Sequence, residues 1–202
     1  MRGKFITFEG VDGAGKSTHV EWFANELRST GRSVLVTREP GGSQLAEKLR
    51  ELVLHEPMDA VTETLLVFTA RDDHLRKRIL PALAAGTWVV CDRFTDATVA
   101  YQGGGKAVPT DLIEALRRIV HPGLQPDCTL VFDCAFDISQ ERMERSGRAL
   151  DRFEREGQAF FERVRGAYLA LAKGEPDRVR VIDSTHALDA IRAELRGILA
   201  SL

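Results

Sequence analysis

Phe5-Ile6-Thr7-Phe8-Glu9 runs directly into Gly10-Val11-Asp12-Gly13-Ala14-Gly15-Lys16-Ser17-Thr18. Residues 4–9 form a short apolar run rich in strand formers. The next eight fit G-x-x-x-x-G-K-[ST] and lead into helical spacing at Val20, Phe23, Ala24 and Leu27. A strand, a glycine-rich turn and a helix in that order make a phosphate-binding loop. The glycines let successive backbone N–H groups turn inward around phosphate oxygens, and the helix N-terminus adds positive potential. Lys16 reaches the outer phosphates, Ser17 is placed to ligate Mg²⁺, and Thr18 completes the loop. The ligand class is a nucleoside triphosphate, held by residues 10–18.

Four further apolar runs lie at residues 33–37, 88–92, 129–133 and 179–183, with helical spacing between them. Short buried strands alternating with helices make a parallel sheet, and right-handed crossovers cover both of its faces. The expected class is α/β, a three-layer α/β/α P-loop kinase fold on a five-stranded parallel sheet, with residues 1–202 as one domain. Leu66, Ala70, Leu75, Ile79 and Leu83 predict one long helix over residues 63–83. The chain has 202 residues, 28 Lys+Arg against 30 Asp+Glu, and 44% hydrophobic residues. That length buries enough surface for a core without disulfides or metal. The near-neutral balance lacks the basic excess of a nucleic-acid binder, so no nucleic-acid partner is expected. The three cysteines have no C-x-x-C spacing and read as reduced core thiols. MRGKFITFEG meets charge and glycine too early for a signal peptide, and no window approaches 18 apolar residues. A cytoplasmic protein with no membrane partner is expected.

Within the triphosphate-binding class, absences discriminate. Asn25 is the only asparagine, so the guanine-reading N-K-x-D motif is missing. The third strand ends in Asp92-Arg93, where motor and transport ATPases usually carry Glu after the Asp. Arginine suits phosphate binding better than water activation, and Asp92 joins Ser17 as a candidate metal ligand. The carboxyl ends of parallel strands share one crevice, which also gathers Arg38-Glu39-Pro40-Gly41-Gly42. After the fourth strand, Arg142, Arg145, Arg148, Arg152 and Arg155 alternate with acidic residues. This stretch is either a solvated helix face laced with ion pairs or, broken at Gly147, a segment that closes over phosphates.

Taken together, Phe8 to Thr18, Thr37 to Gly42, Asp92-Arg93-Phe94, Tyr101 to Gly105 and Leu150 to Glu154 resemble bacterial thymidylate kinase across essentially the whole chain. The resemblance implies transfer of the ATP γ-phosphoryl group to dTMP with Mg²⁺, a two-fold homodimer, and a mobile lid near residues 142–156. It implies that Asp12 holds the sugar 3′-hydroxyl. Arg38 or Glu39, with Arg93, positions the dTMP phosphate and its Mg²⁺ shell, and Arg50 approaches from the same side. Phe68 stacks on thymine or packs in the core, Arg71 hydrogen-bonds a ring carbonyl, Thr98 and Gln102 complete the base edge, and Tyr101 crowds a ribose 2′-hydroxyl. Residues 184–188 pass the adenine. Two departures stand out. Many members place the stacking phenylalanine four residues before the arginine, a position that Val67 holds here. Some members carry a catalytic arginine in the phosphate loop, where this chain has Gly13. The implied catalytic set is Lys16, Asp12 and Arg93, with the lid arginines Arg148 and Arg152 supplying the missing charge.

Overall fold

A computed structural model of the protein describes residues 2–147 and 151–202. The five expected strands form within a residue of their predicted bounds: β1 Phe5–Gly10, β2 Val34–Arg38, β3 Trp88–Asp92, β4 Cys128–Asp133 and β5 Val179–Asp183. All pairings are parallel and the strand order is β2-β3-β1-β4-β5. β1 lies in the centre and is buried along its whole length, as its Phe5, Ile6 and Phe8 favour, with Thr7 and Glu9 buried beside them. Alternate residues of the strands face opposite layers. Ile6, Phe8, Val90, Leu130 and Phe132 pack on Val20, Phe23 and Leu27 of α1 (Lys16–Ser29) and on Ile191 and Leu195 of α9 (Leu188–Ser201). Phe5, Val89 and Cys91 meet Leu75, Ile79 and Leu83 on the other side.

The predicted long helix exists as one helical run from Ala60 to Ala84: α3 Ala60–His74, a π-helical turn at Leu75–Ile79, and α4 Leu80–Ala84. The π-turn departs from the uniform α-helical spacing of the sequence. Pro81 in α4 has no N–H to donate to the preceding turn, and widening the helix there absorbs the lost bond. Side-chain caps start two helices. Ser43 accepts from Ala46 N–H at the head of α2 (Gln44–His55), and Asp59 accepts from Thr62 N–H at the head of α3. A short α5 (Thr95–Thr98) continues as a π-helical segment, Val99–Gly105, and α6 (Thr110–Val120) follows. The fourth strand feeds α7 (Phe136–Ser146), which stops at Gly147 in the left-handed region, φ 63°. The helical break expected there is present. Residues 151–156 turn back toward α8 (Gln158–Gly174). Among the described residues no helix is long and apolar enough to cross a membrane.

Candidate active site

The carboxyl ends of β1, β2 and β3 open into two adjoining cavities. The larger, about 630 Å³, is walled by Gly13, Ala14, Gly15, Lys16, Ser17 and Thr18. Gly10 and Val11 stay outside it and contribute carbonyls, which accept from Lys16 Nζ at 3.1 and 3.0 Å. An ammonium has three donors, so one remains for a phosphate oxygen. Burial and the nearby Arg93 charge lower the Lys16 pKa, opposed by Asp92, Asp12 and Glu9. Gly13 has φ 73°, and a Cβ there would sit 2.6 Å from the Ser139 carbonyl oxygen. The loop therefore has no room for an arginine at this position, and positive charge must come from elsewhere. Asp92 Oδ1 is buried without a partner and shares the cavity wall with Ser17. Those two oxygens suit Mg²⁺, which prefers phosphates, waters and one or two protein oxygens to an all-protein cage. No cluster of three His, Cys, Asp or Glu ligands exists among the described residues.

Ser184, His186 and Leu188, within the segment expected to pass adenine, also line this cavity, together with Ile191. Arg142 also lines it, with Nη2 donating to the Ser184 carbonyl at 2.7 Å and Nη1 to Ser184 Oγ at 3.1 Å. The sequence marks Arg142 only as one arginine among several. Its tie to Ser184 spans 42 residues and leaves no local signal.

Arg93 joins the two cavities and lines both. Its backbone is left-handed, φ 68°, an uncommon conformation for a side chain with a Cβ. This turn points the guanidinium back over β1. Nη1 donates to Gly10 O at 2.9 Å and to the Tyr168 hydroxyl at 3.2 Å, and Nη2 to Asp12 Oδ1 at 2.5 Å and to the Tyr101 hydroxyl at 3.0 Å. Burial alone lowers the Arg93 pKa, but Asp12, the Tyr101 and Tyr168 hydroxyls and Asp92 hold it well above its ordinary value. Burial likewise works to raise Asp12, and Arg93, Lys16 and the Tyr101 hydroxyl keep it below the usual carboxylate range. Beneath the turn lies Glu9, which accepts from Phe94 N–H at 2.7 Å and from the Tyr168 hydroxyl at 2.8 Å. Burial and the Asp96 charge push Glu9 up to about 8.

The second cavity is narrower and more apolar, with Val67, Phe94 and Phe153 beside Arg50, Thr98, Tyr101 and Gln102. Arg71 is its buried cation. Nε donates to Glu39 at 2.7 Å, and Nη2 donates to Phe94 O at 3.0 Å and Thr98 Oγ1 at 3.1 Å. Nη1 is buried with no partner. Glu39 also accepts from His74 Nδ1 at 3.0 Å, and Arg50 donates to Pro40 O at 2.8 Å. Arg38 lines the phosphate cavity and pairs with Glu47 at 3.0 Å.

Two expectations need correction. Phe68 does not line the cavity. It packs with Val108 and Ile113, its ring under the Arg71 guanidinium, because the helical turn gives the inward position to Val67, four residues before Arg71. Arg152 does not reach the phosphate loop. Its Nε donates to Val53 O at 2.7 Å and its Nη2 pairs with Glu63 on α3. A buried carboxylate outcompetes the open phosphate cavity for this guanidinium. Arg148 lies outside the described residues. Asp151, on the wall of both cavities, fixes the returning turn by accepting from Phe153 and Glu154 N–H at 2.9 and 3.0 Å.

A triphosphate loop beside a pocket with an unsatisfied arginine donor describes a kinase that acts on a second small molecule, and known proteins agree. The sequence model of the family described as thymidylate kinase matches residues 8–195. The chain is 58% identical to a thymidylate kinase from Bordetella pertussis, over 96% of this chain and 93% of that protein. It is 54% identical to one from Burkholderia ambifaria, over 99% of this chain and 98% of that one. The crystal structure of thymidylate kinase from Ehrlichia chaffeensis superposes with a TM-score of 0.80 at 32% identity, covering 98% of this chain and 100% of that one. Motif, fold and relatives coincide over nearly its whole length: the chain belongs to the thymidylate kinase family.

Proposed function

We propose that the chain transfers the γ-phosphoryl group of ATP to an oxygen of the dTMP phosphate, giving dTDP and ADP. The observation that carries this reading is Arg71 Nη1, a buried donor without a partner in a base-sized apolar cavity beside the phosphate loop. It matches the 4-carbonyl of thymine. The accepting phosphate is largely ionised at pH 7, so no general base is needed. The residues instead hold two mutually repelling anions in line and neutralise the charge that develops between them. Lys16 serves the outer phosphates of ATP, and Arg93 spans the junction where the two substrates meet. Mg²⁺, held by Ser17, Asp92 and the phosphates, supplies further neutralising charge when bound. Asp12, fixed by Arg93 and Tyr101, faces the sugar. Arg148 is the remaining lid candidate for the transition state, and Arg152 seats the lid's return on α3. The reading includes a cytoplasmic location and closure of the lid over both nucleotides.

A coupled assay tests it. Turnover should follow the order dTMP, then dUMP, then dCMP, and chelating the metal should abolish it. The thymine methyl offers about 1 to 3 kcal/mol of apolar contact, so dUMP is a poorer substrate rather than an excluded one. Protein that binds ATP yet phosphorylates no monophosphate would be a nucleotide-sensing switch instead.

The homodimer belongs to the same reading. Leu45 and Leu52 on α2 and Val61 and Leu65 on α3 are 43–45% exposed, two pairs at helical spacing on packed neighbouring helices. Burying this face against its two-fold copy removes it from water. Sedimentation should give a dimer, and Leu52→Glu with Leu65→Glu should give a monomer. A monomer in the unmodified protein refutes the dimer.

A further inference from the structure

Glu63 lies on α3, two helical turns before Arg71 and on the same stripe as Val67. It is 0% exposed. Oε1 accepts from Gln102 Nε2 at 2.8 Å, while Oε2 accepts from Lys106 Nζ at 2.7 Å and from Arg152 Nη2. With two cations on one oxygen, Glu63 presents itself to Gln102 as an acceptor. An amide facing an acceptor must turn its NH₂ toward it. The Gln102 carbonyl oxygen is thereby left for the cavity that Gln102 lines.

We infer that Glu63, which does not line the cavity, is a specificity-determining positioning residue that locks the Gln102 amide with its oxygen toward the base. This rests on the reading of that cavity as the dTMP site. The edge then presents a donor, Arg71 Nη1, beside an acceptor, Gln102 Oε1. Thymine offers the complement, a carbonyl at position 4 and an N–H at position 3. Cytosine reverses both. A free glutamine accommodates the reversal by rotating its amide, but here rotation sets the Gln102 oxygen against the Glu63 carboxylate. Two acceptors face each other, so the rotated form is closed off.

Glu63→Gln releases the lock, because a carboxamide can itself rotate and donate to the turned Gln102. The test is kcat/KM for dTMP and for 5-methyl-dCMP, which differ only at this edge. In Glu63→Gln the preference for dTMP should fall about tenfold or more. A residue that only holds the fold lowers both substrates together and leaves the ratio unchanged. Because Glu63→Gln leaves buried cations short of an anion, the double variant Glu63→Gln/Lys106→Met is made in parallel and carries the same expectation. In a Gln102→Leu background, adding Glu63→Gln should not move the ratio. An unchanged ratio in the single and double variants, or a change that persists without Gln102, overturns the inference. Failure of the unmodified protein to phosphorylate dTMP instead overturns the function on which it rests.

Discussion

Arg93→Lys is expected to lower kcat by about a hundredfold to a thousandfold, with the KM for ATP changed only a few times. The charge survives the substitution, but the fork does not. Arg93 reaches Gly10 O, Asp12, Tyr101 and Tyr168 from two nitrogens of one rigid plane. A lysine ammonium on a flexible stem cannot span those four acceptors and still face both cavities. Removing one preorganised donor to a developing charge typically costs about 2.7 to 4 kcal/mol, which sets the range. The left-handed backbone at Arg93 is part of the same device. It is held by the Glu9 contact to Phe94 N–H and aims the side chain at the junction instead of along β3. Steady-state kinetics with each substrate varied in turn checks this. A kcat within a few times that of the unmodified enzyme would place Arg93 outside the reaction and leave it as the partner of Asp12.

The parts of this site that were legible in the sequence are those carried by contiguous residues. The phosphate loop, the five strands and the Gly147 break each have a local cause: glycine conformations, apolar runs, a left-handed helix end. Arg71 is legible only through the family resemblance, which assigns it to the base. Contacts between distant segments were not. Glu63 meets Gln102 across 39 residues and Arg152 across 89, and no pattern in either segment announces the pairing. The resemblance therefore makes Arg152 a lid arginine that stabilises the transition state, since an arginine in a lid and an arginine latched to a buried carboxylate look alike in sequence. Phe68 shows a different failure. The family resemblance assigns it to stacking on thymine or to the core, but helix phase decides which side chain faces the cavity, and the four-residue step to Arg71 selects Val67.

Arg71→Gln should lose base selectivity and stability together, a coupling that follows from the two jobs its guanidinium performs. Nη1 is free for the base, while Nε is committed to Glu39, with the two side chains 1% and 2% exposed. Breaking a buried ion pair from one side typically costs about 3 to 5 kcal/mol, because it strands the other charge. For a chain of this length each kcal/mol shifts Tm by roughly 2 to 4 °C, so a loss on the order of 10 °C is expected at pH 7. The pH dependence identifies the stranded group. Burial acts to raise the Glu39 pKa, but Arg71 and His74 together hold it below its ordinary 4.5. A carboxylate depressed in the folded state contributes stability that is present above its unfolded pKa and is lost as pH falls through the folded value. The Tm gap between the unmodified protein and Arg71→Gln should therefore be full at pH 7. It should narrow as pH drops below about 4.5, where a protonated Glu39 no longer needs a cation. Meanwhile the dTMP to dCMP ratio of kcat/KM should shrink, since a glutamine amide can accept from the cytosine amino group that a guanidinium cannot. Calorimetry across pH and the two-substrate assay read the two roles separately. A Tm gap that stays constant from pH 7 down to about pH 3 would remove Glu39 as the stranded charge, and an unchanged substrate ratio would show that Arg71 stabilises the fold without reading the base.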